Sequence, residues 1–156
     1  MRNSSENEGA SPVDSAFVFL RLPGNTPSLT PWRDRRMRSH SDYQRMYAAG
    51  RKQFARHMSY FYSVRSLPPK PHMHVHSGPR VGLTVGRVMG NAVTRNRIKR
   101  RFRAAIQQHL ALLGNLNVDV ALHPKRGAVD LDWSALERDV ATVFRTIAKA
   151  ANTKAD

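Results

Sequence analysis

The sequence predicts an α+β fold, a small four-stranded sheet with helices layered on it. Two observations carry this. The apolar period switches along the chain, from helical spacing near residue 45 to strand alternation between 51 and 86, then to a long helical pattern, a short apolar run and a last helical pattern. The 156 residues also suffice for one core with loose ends.

Taken in order, residues 1–31 are rich in Ser, Asn, Pro and Gly without sustained period and are expected to be a disordered extension. The folded domain is expected over 32–151, with 152–156 as a tail. Ser41 and Gln44 have capping-box spacing, so a short helix should follow Ser41 and stop at Gly50, with Tyr43, Met46 and Tyr47 on one face. Residues 51–56 and 57–64 read as two strands, the second alternating Met58, Tyr60, Tyr62, Val64 against His57, Ser59, Phe61, Ser63; which set is buried stays open. Residues 66–79, with four prolines, read as a flexible loop insertion. In 80–86, Val81, Leu83 and Val85 oppose Gly82, Thr84 and Gly86, small residues that would let another group come close. A helix is expected over about 91–112, a strand over 118–122 and an amphipathic helix over 132–151, with Trp133 and Phe144 in the core and Asp130 and Asp132 favouring its N-terminus.

The charge distribution says most about function. The net charge is +15, and residues 31–109 carry 18 Lys/Arg against two acids, whereas the flanks balance nearly to zero. The same stretch holds all four tyrosines, so it is expected to fold and to display its charge to a polyanion. There is no cysteine for disulfides or thiolate metal sites, and no apolar run approaches the roughly 20 residues of a membrane span. A cytoplasmic protein is expected, with no membrane partner and no obligate protein partner.

Residues 95–103 hold six cations in nine positions. On a helical wheel Ile98, Phe102, Ala105, Ile106 and His109 form a narrow seam, Asn96, Lys99, Arg100 and Arg103 point away, and Arg95, Arg97 and Arg101 flank it. A solvated helix mixes signs, because oppositely charged pairs four apart stabilise it. Here no acid occurs between Asp42 and Asp119, so phosphates are the expected counter-charge, with Asn91 and the free amides of the helix start adding to their site. Nothing in this physics selects RNA over DNA.

The run Gly90-Asn91-Ala92-Val93-Thr94-Arg95-Asn96-Arg97-Ile98-Lys99-Arg100 resembles the signature of the bacterial ribonuclease P protein family. The resemblance extends from about Arg38 to Lys149 and takes in Asp42–Tyr47 and Arg80–Val85. It implies a ribosomal-protein-like fold with a left-handed β-α-β crossover through the arginine-rich helix. It also implies a catalytic RNA as partner, a precursor tRNA whose 5′ leader is removed by hydrolysis, and Mg²⁺ held mainly by the RNA. The RNA-binding residues it implies are Asn91, Arg95, Asn96, Arg97, Lys99, Arg100, Arg101 and Arg103. Its leader groove would use Tyr43 and Tyr47, with Arg45, Arg51 and Lys52 near enough for phosphates. The chain departs from the family pattern at Val88-Met89, where paired basic residues are common, and at His123-Pro124, where Arg-Pro is common.

Competing readings are a ribosomal or ribosome-assembly protein, a DNA-binding protein and a self-sufficient nuclease. The arginine signature speaks against the first, the lack of a helix-turn-helix or zinc-finger pattern against the second, and the shortage of paired carboxylates against the third. His72, His74 and His76 alternate as metal ligands on a strand would, but they sit in the proline-rich loop, so no metal site and no catalytic residue is assigned to the protein.

Overall fold

The computed structural model describes residues 32–66 and 77–155, so the expected N-terminal extension and the three loop histidines lie outside it. Helices α1 (His40–Ala49), α2 (Ala92–His109) and α3 (Trp133–Ala155) and strands β1 (Arg51–Phe54), β2 (Met58–Val64), β3 (Arg80–Leu83) and β4 (Val118–Pro124) follow one another in the expected order. The sheet order is β1-β2-β4-β3. Strand β2 runs antiparallel to both β1 and β4, while β3 and β4 are parallel and joined through α2.

Strand alternation gives the sheet two unlike faces. Met58 and Tyr60 of β2, Val81 of β3 and Val118, Val120 and Leu122 of β4 build the main core with Ile98, Phe102 and Ile106 of α2 and Leu136, Val140, Phe144 and Ile147 of α3. The helical seam anticipated on α2 is the one buried here. On the opposite face α1 covers only part of the sheet. Met46, its one buried residue, packs with Met37 and Ala121, flanked by Tyr43 and Phe61. The register lays this face out in rows: Arg80 beside Asp119, Gly82 beside Ala121 beside Phe61 beside Lys52, and His123 beside Ser59 beside Phe54.

Several element ends differ from expectation. The Ser41 capping box does not form. The N-cap is Ser39, whose hydroxyl bonds the Ser41 hydroxyl at 2.7 Å, so Ser41 lies within the first turn. Gly50 does end α1, with its N–H donating to the Met46 carbonyl at 2.6 Å, but in extended backbone (φ −84°). Glycine is needed there for space, since a Cβ would stand 2.5 Å from the Met46 oxygen and 2.9 Å from that of Tyr62. Helix α2 stops at His109, and Leu110–Leu113 tightens into a 3-10 turn. Strand β4 runs on through His123 to Pro124, paired to Ser59 and Met58, and α3 continues through the expected tail to Ala155. The Asp132 carbonyl accepts the Leu136 N–H at 2.9 Å as α3 starts. Trp133, expected in the core, is 38% exposed, because it occupies the first position of α3, ahead of the buried seam that begins at Leu136.

Candidate nucleic-acid interface

The first surface is the outer side of α2. Gly90 enters the helix at φ 128°, a conformation open to glycine, and the Asn91 side chain caps it by accepting the Thr94 N–H at 2.9 Å. With Ile98 and Phe102 buried against the sheet, Asn96, Arg97 and Arg100 are exposed and Arg95, Lys99 and Arg103 half-exposed. Val93, Asn96, Lys99, Arg100 and Arg103 line a shallow concavity of about 510 Å³. These polar side chains are the four that the wheel directs away from the seam. Arg101 differs. Its guanidinium donates to the carbonyls of Val129 and Leu131, which ties α2 to the turn ahead of α3 and commits much of that side chain to the fold. Asn91 is likewise spent in part on its cap.

The second surface is the groove between α1 and the exposed end of the sheet. Tyr47 is 37% exposed; its ring meets Phe61 edge-on at 4.9 Å between centroids, and its hydroxyl lies 3.0 Å from Nε2 of His123. His123 and Phe61 are in contact at 5.5 Å. Burial, with the nearby Lys52 charge adding to it, holds the His123 imidazole below its ordinary pKa, so it is neutral at pH 7. Tyr43 lies deeper. Its hydroxyl occupies the space over Gly82, where an added Cβ would be 2.2 Å away, and burial raises its pKa. The small-residue face of β3 thus admits a side chain of the protein itself.

Of the cations expected near the leader, Lys52 is in this groove, with its ammonium 5.8 Å from the Phe61 ring centre. Arg45 pairs with Asp42 at the N-terminal side of α1. Arg51 is on the other side of the sheet, opposite Tyr62 in register, where it lines a concavity with Lys149 and Lys154. Strand alternation forces Arg51 and Lys52 apart.

A buried charge network holds the groove's far end. Arg80 reaches Asp119 with both Nε (2.8 Å) and a terminal nitrogen (2.6 Å) and meets Asp42 of α1 at 3.2 Å. Arg65 approaches the same Asp119 at 2.9 Å. The two acids that bracket the acid-free stretch in sequence therefore meet at one arginine, and together they dock α1 on β3 and β4. Phe61, His123 and this network escaped the sequence reading. The lone acids at 42 and 119 were a visible signal for the network, whereas the roles of Phe61 and His123 depend on which face of β2 is buried.

Fold and site together define a class: an α+β protein suited to a polyanionic partner, with a cationic helix on one side of its sheet and an aromatic groove on the other. The sequence model of the family described as Ribonuclease P matches residues 32–148. The ribonuclease P protein component of Micrococcus luteus is 33% identical over 111 residues, spanning 69% of this chain and 83% of the relative. That of Streptococcus mutans is 32% identical over 110 residues, spanning 70% and 83%. The fold matches the solved structures of the ribonuclease P proteins of Staphylococcus aureus (TM-score 0.58, 23% identity, 72% of this chain and 94% of that one) and Thermotoga maritima (TM-score 0.59, 16% identity, 71% and 96%). The chain belongs to the ribonuclease P protein family, the protein part of a ribonucleoprotein endoribonuclease of tRNA processing, and so associates with the ribonuclease P RNA.

Proposed function

We propose that the outer side of α2 grips the catalytic RNA while the groove under α1 holds the 5′ leader of precursor tRNA, so that the RNA hydrolyses the phosphodiester at the leader junction. The observation that carries this reading is the separation of two surfaces by one sheet: guanidinium and ammonium groups on α2, a helix with no acid in its own sequence, and half-exposed rings at Tyr47 and Phe61 on the opposite face. The first suits a duplex or folded backbone, met through charge-assisted contacts. The second suits unpaired bases, which stack on aromatic rings with little sequence preference. Tyr43 forms the floor of the groove and Tyr47 its open wall.

Magnesium is the cofactor the family resemblance implies. Among the described residues no group of three His, Asp or Glu side chains converges on a common point, and Asp42 and Asp119 are both engaged with Arg80. These residues do not fit a magnesium site, and the reading assigns the ions to the RNA. The protein's contribution is to neutralise phosphate repulsion and hold the leader. No helix among the described residues is long and apolar enough to cross a membrane, and we place the protein in the cytoplasm with its RNA.

The deciding experiment reconstitutes the protein with its cognate catalytic RNA at low magnesium and follows cleavage of a precursor tRNA. Protein alone should not cleave, and added protein should raise cleavage by the RNA. In the same assembly Tyr43→Ala with Tyr47→Ala should weaken binding of a leader-bearing precursor and leave mature tRNA nearly unaffected. An equal loss for both would show that the tyrosines serve the structure alone.

A further inference from the structure

The groove does not end at Tyr47 and Phe61. Beyond them, on the same face, the edge strand β1 presents Phe54, which is 68% exposed, the most open aromatic ring among the described residues for which an exposure is given. In register Phe54 stands opposite Ser59, and Ser59 opposite His123, so the row that links the groove to Phe54 has a small side chain at its middle position. Two ammonium groups lie near the ring, Lys52 Nζ at 5.2 Å and Lys125 Nζ at 5.4 Å from its centre. Lys52 also lies 5.8 Å from the Phe61 ring, so a single cation spans the inner and outer aromatics. Lys125 is anchored there, donating to the Ala55 carbonyl at 3.0 Å, and its own N–H donates to the His57 carbonyl at 2.9 Å.

Exposed phenylalanine on an edge strand is costly, since it invites pairing with other chains. Solubility alone would favour a polar residue at this position. An exposed aromatic ring with two lysines close by is instead an arrangement that can receive an unpaired nucleotide: the ring stacks on the base and the ammonium groups meet the flanking phosphates. We propose that Phe54, Lys52 and Lys125 form a second, outer stacking site for single-stranded RNA, which takes up leader nucleotides after they have passed Tyr47 and Phe61. The proposal rests on the leader reading above and extends it, giving the protein a grip that depends on leader length.

The test is a length series of precursor tRNAs, lengthened one leader nucleotide at a time, bound to the reconstituted holoenzyme. With the unaltered protein, affinity should rise in two stages, the first as the leader fills the groove and the second as it reaches Phe54. Phe54→Ala should abolish the second stage, a loss of roughly fivefold or more for long leaders, the size of one base–aromatic stack, and leave short leaders unchanged. Phe54→Trp should restore it. Lys52→Gln with Lys125→Gln should reduce the salt dependence for long leaders more than for short ones. If Tyr47→Ala weakens all leader-bearing substrates while Phe54→Ala weakens none, the outer site is refuted and the groove stands. If neither variant discriminates precursor from mature tRNA, the leader reading itself fails. If Phe54→Ala alters self-association and not the length profile, the ring belongs to a contact between copies and the proposal is overturned.

Discussion

At Asp119 a single carboxylate, 5% exposed, answers two arginines, Arg65 just past the end of β2 and Arg80 of β3. Removing one partner of a buried ionic group leaves the others desolvated without compensation, which costs far more than the net worth of the intact network. Asp119→Ala should therefore lower unfolding free energy by about 3–5 kcal/mol, measured by urea denaturation, and should loosen α1, which is linked to Asp119 through Arg80 and Asp42. His123 makes a different case. Its charged form is disfavoured in the native protein by burial and by Lys52, while the unfolded chain accepts a proton at the ordinary value of 6.5. The unfolded state therefore binds more protons just below that value, and stability should fall as pH drops through about 6.5 and level off once the native imidazole also charges. Comparing urea midpoints at about pH 7.5 and about pH 5.5 should show a smaller drop for His123→Gln. An arginine at this position would carry charge throughout that range; histidine adds a cation to this groove only in acid.

Helix α2 separates stability from binding by its circumference. Phe102→Ala should cost about 3–5 kcal/mol, as for any fully enclosed ring, and be detected as a lowered thermal midpoint. Arg97→Gln or Arg100→Gln should leave that midpoint alone and reduce the slope of log affinity for the catalytic RNA against log salt by roughly 0.7–0.9. The opposite pattern would mean that the helix is turned around. The seam of α2 was legible in sequence because a helix writes its faces every three to four residues, and the absence of acids made the charged side plain. Arg101 was not legible as a structural residue, since its carbonyl partners belong to a turn almost thirty positions away. The α1 groove was half legible. The spacing of Tyr43 and Tyr47 placed them together, but only the strand register brings Phe61, His123 and Phe54 to the same face and takes Arg51 from it. Helix α1 itself is lightly held, with Met46 its sole buried residue and Asp42 its ionic tether. Its amides should exchange with solvent through a local opening well below the global unfolding free energy, and saturating leader RNA should slow that exchange while leaving β2 and β4 unchanged, as hydrogen-exchange mass spectrometry would show.

The cationic side of α2 and the aromatic groove under α1 lie on opposite sides of one sheet, and a net charge of +15 suits a chain whose partner is an RNA. Four of the eleven acids are engaged within the fold: Asp42 and Asp119 inside the network, Asp139 against His57 at 2.5 Å, and Glu137 near His109 at 3.6 Å. The sheet order β1-β2-β4-β3 has one more consequence, for the order of events during synthesis. The strand made last, β4, is an interior strand and the neighbour of β3 in the sheet order, while on the other side β3 meets Arg36 and Met37 through one isolated bridge. Until residues 118–124 leave the ribosome, β2 has β1 beside it but not its second neighbour, β3 lacks its neighbour in the sheet, the seam of α2 has no finished surface to rest on, and Arg65 and Arg80 lack their shared carboxylate. At roughly 5–20 residues per second, the nascent chain spends some seconds as an unquenched polycation beside ribosomal RNA, before the arrival of β4 closes the sheet and brings Asp119 to its two arginines.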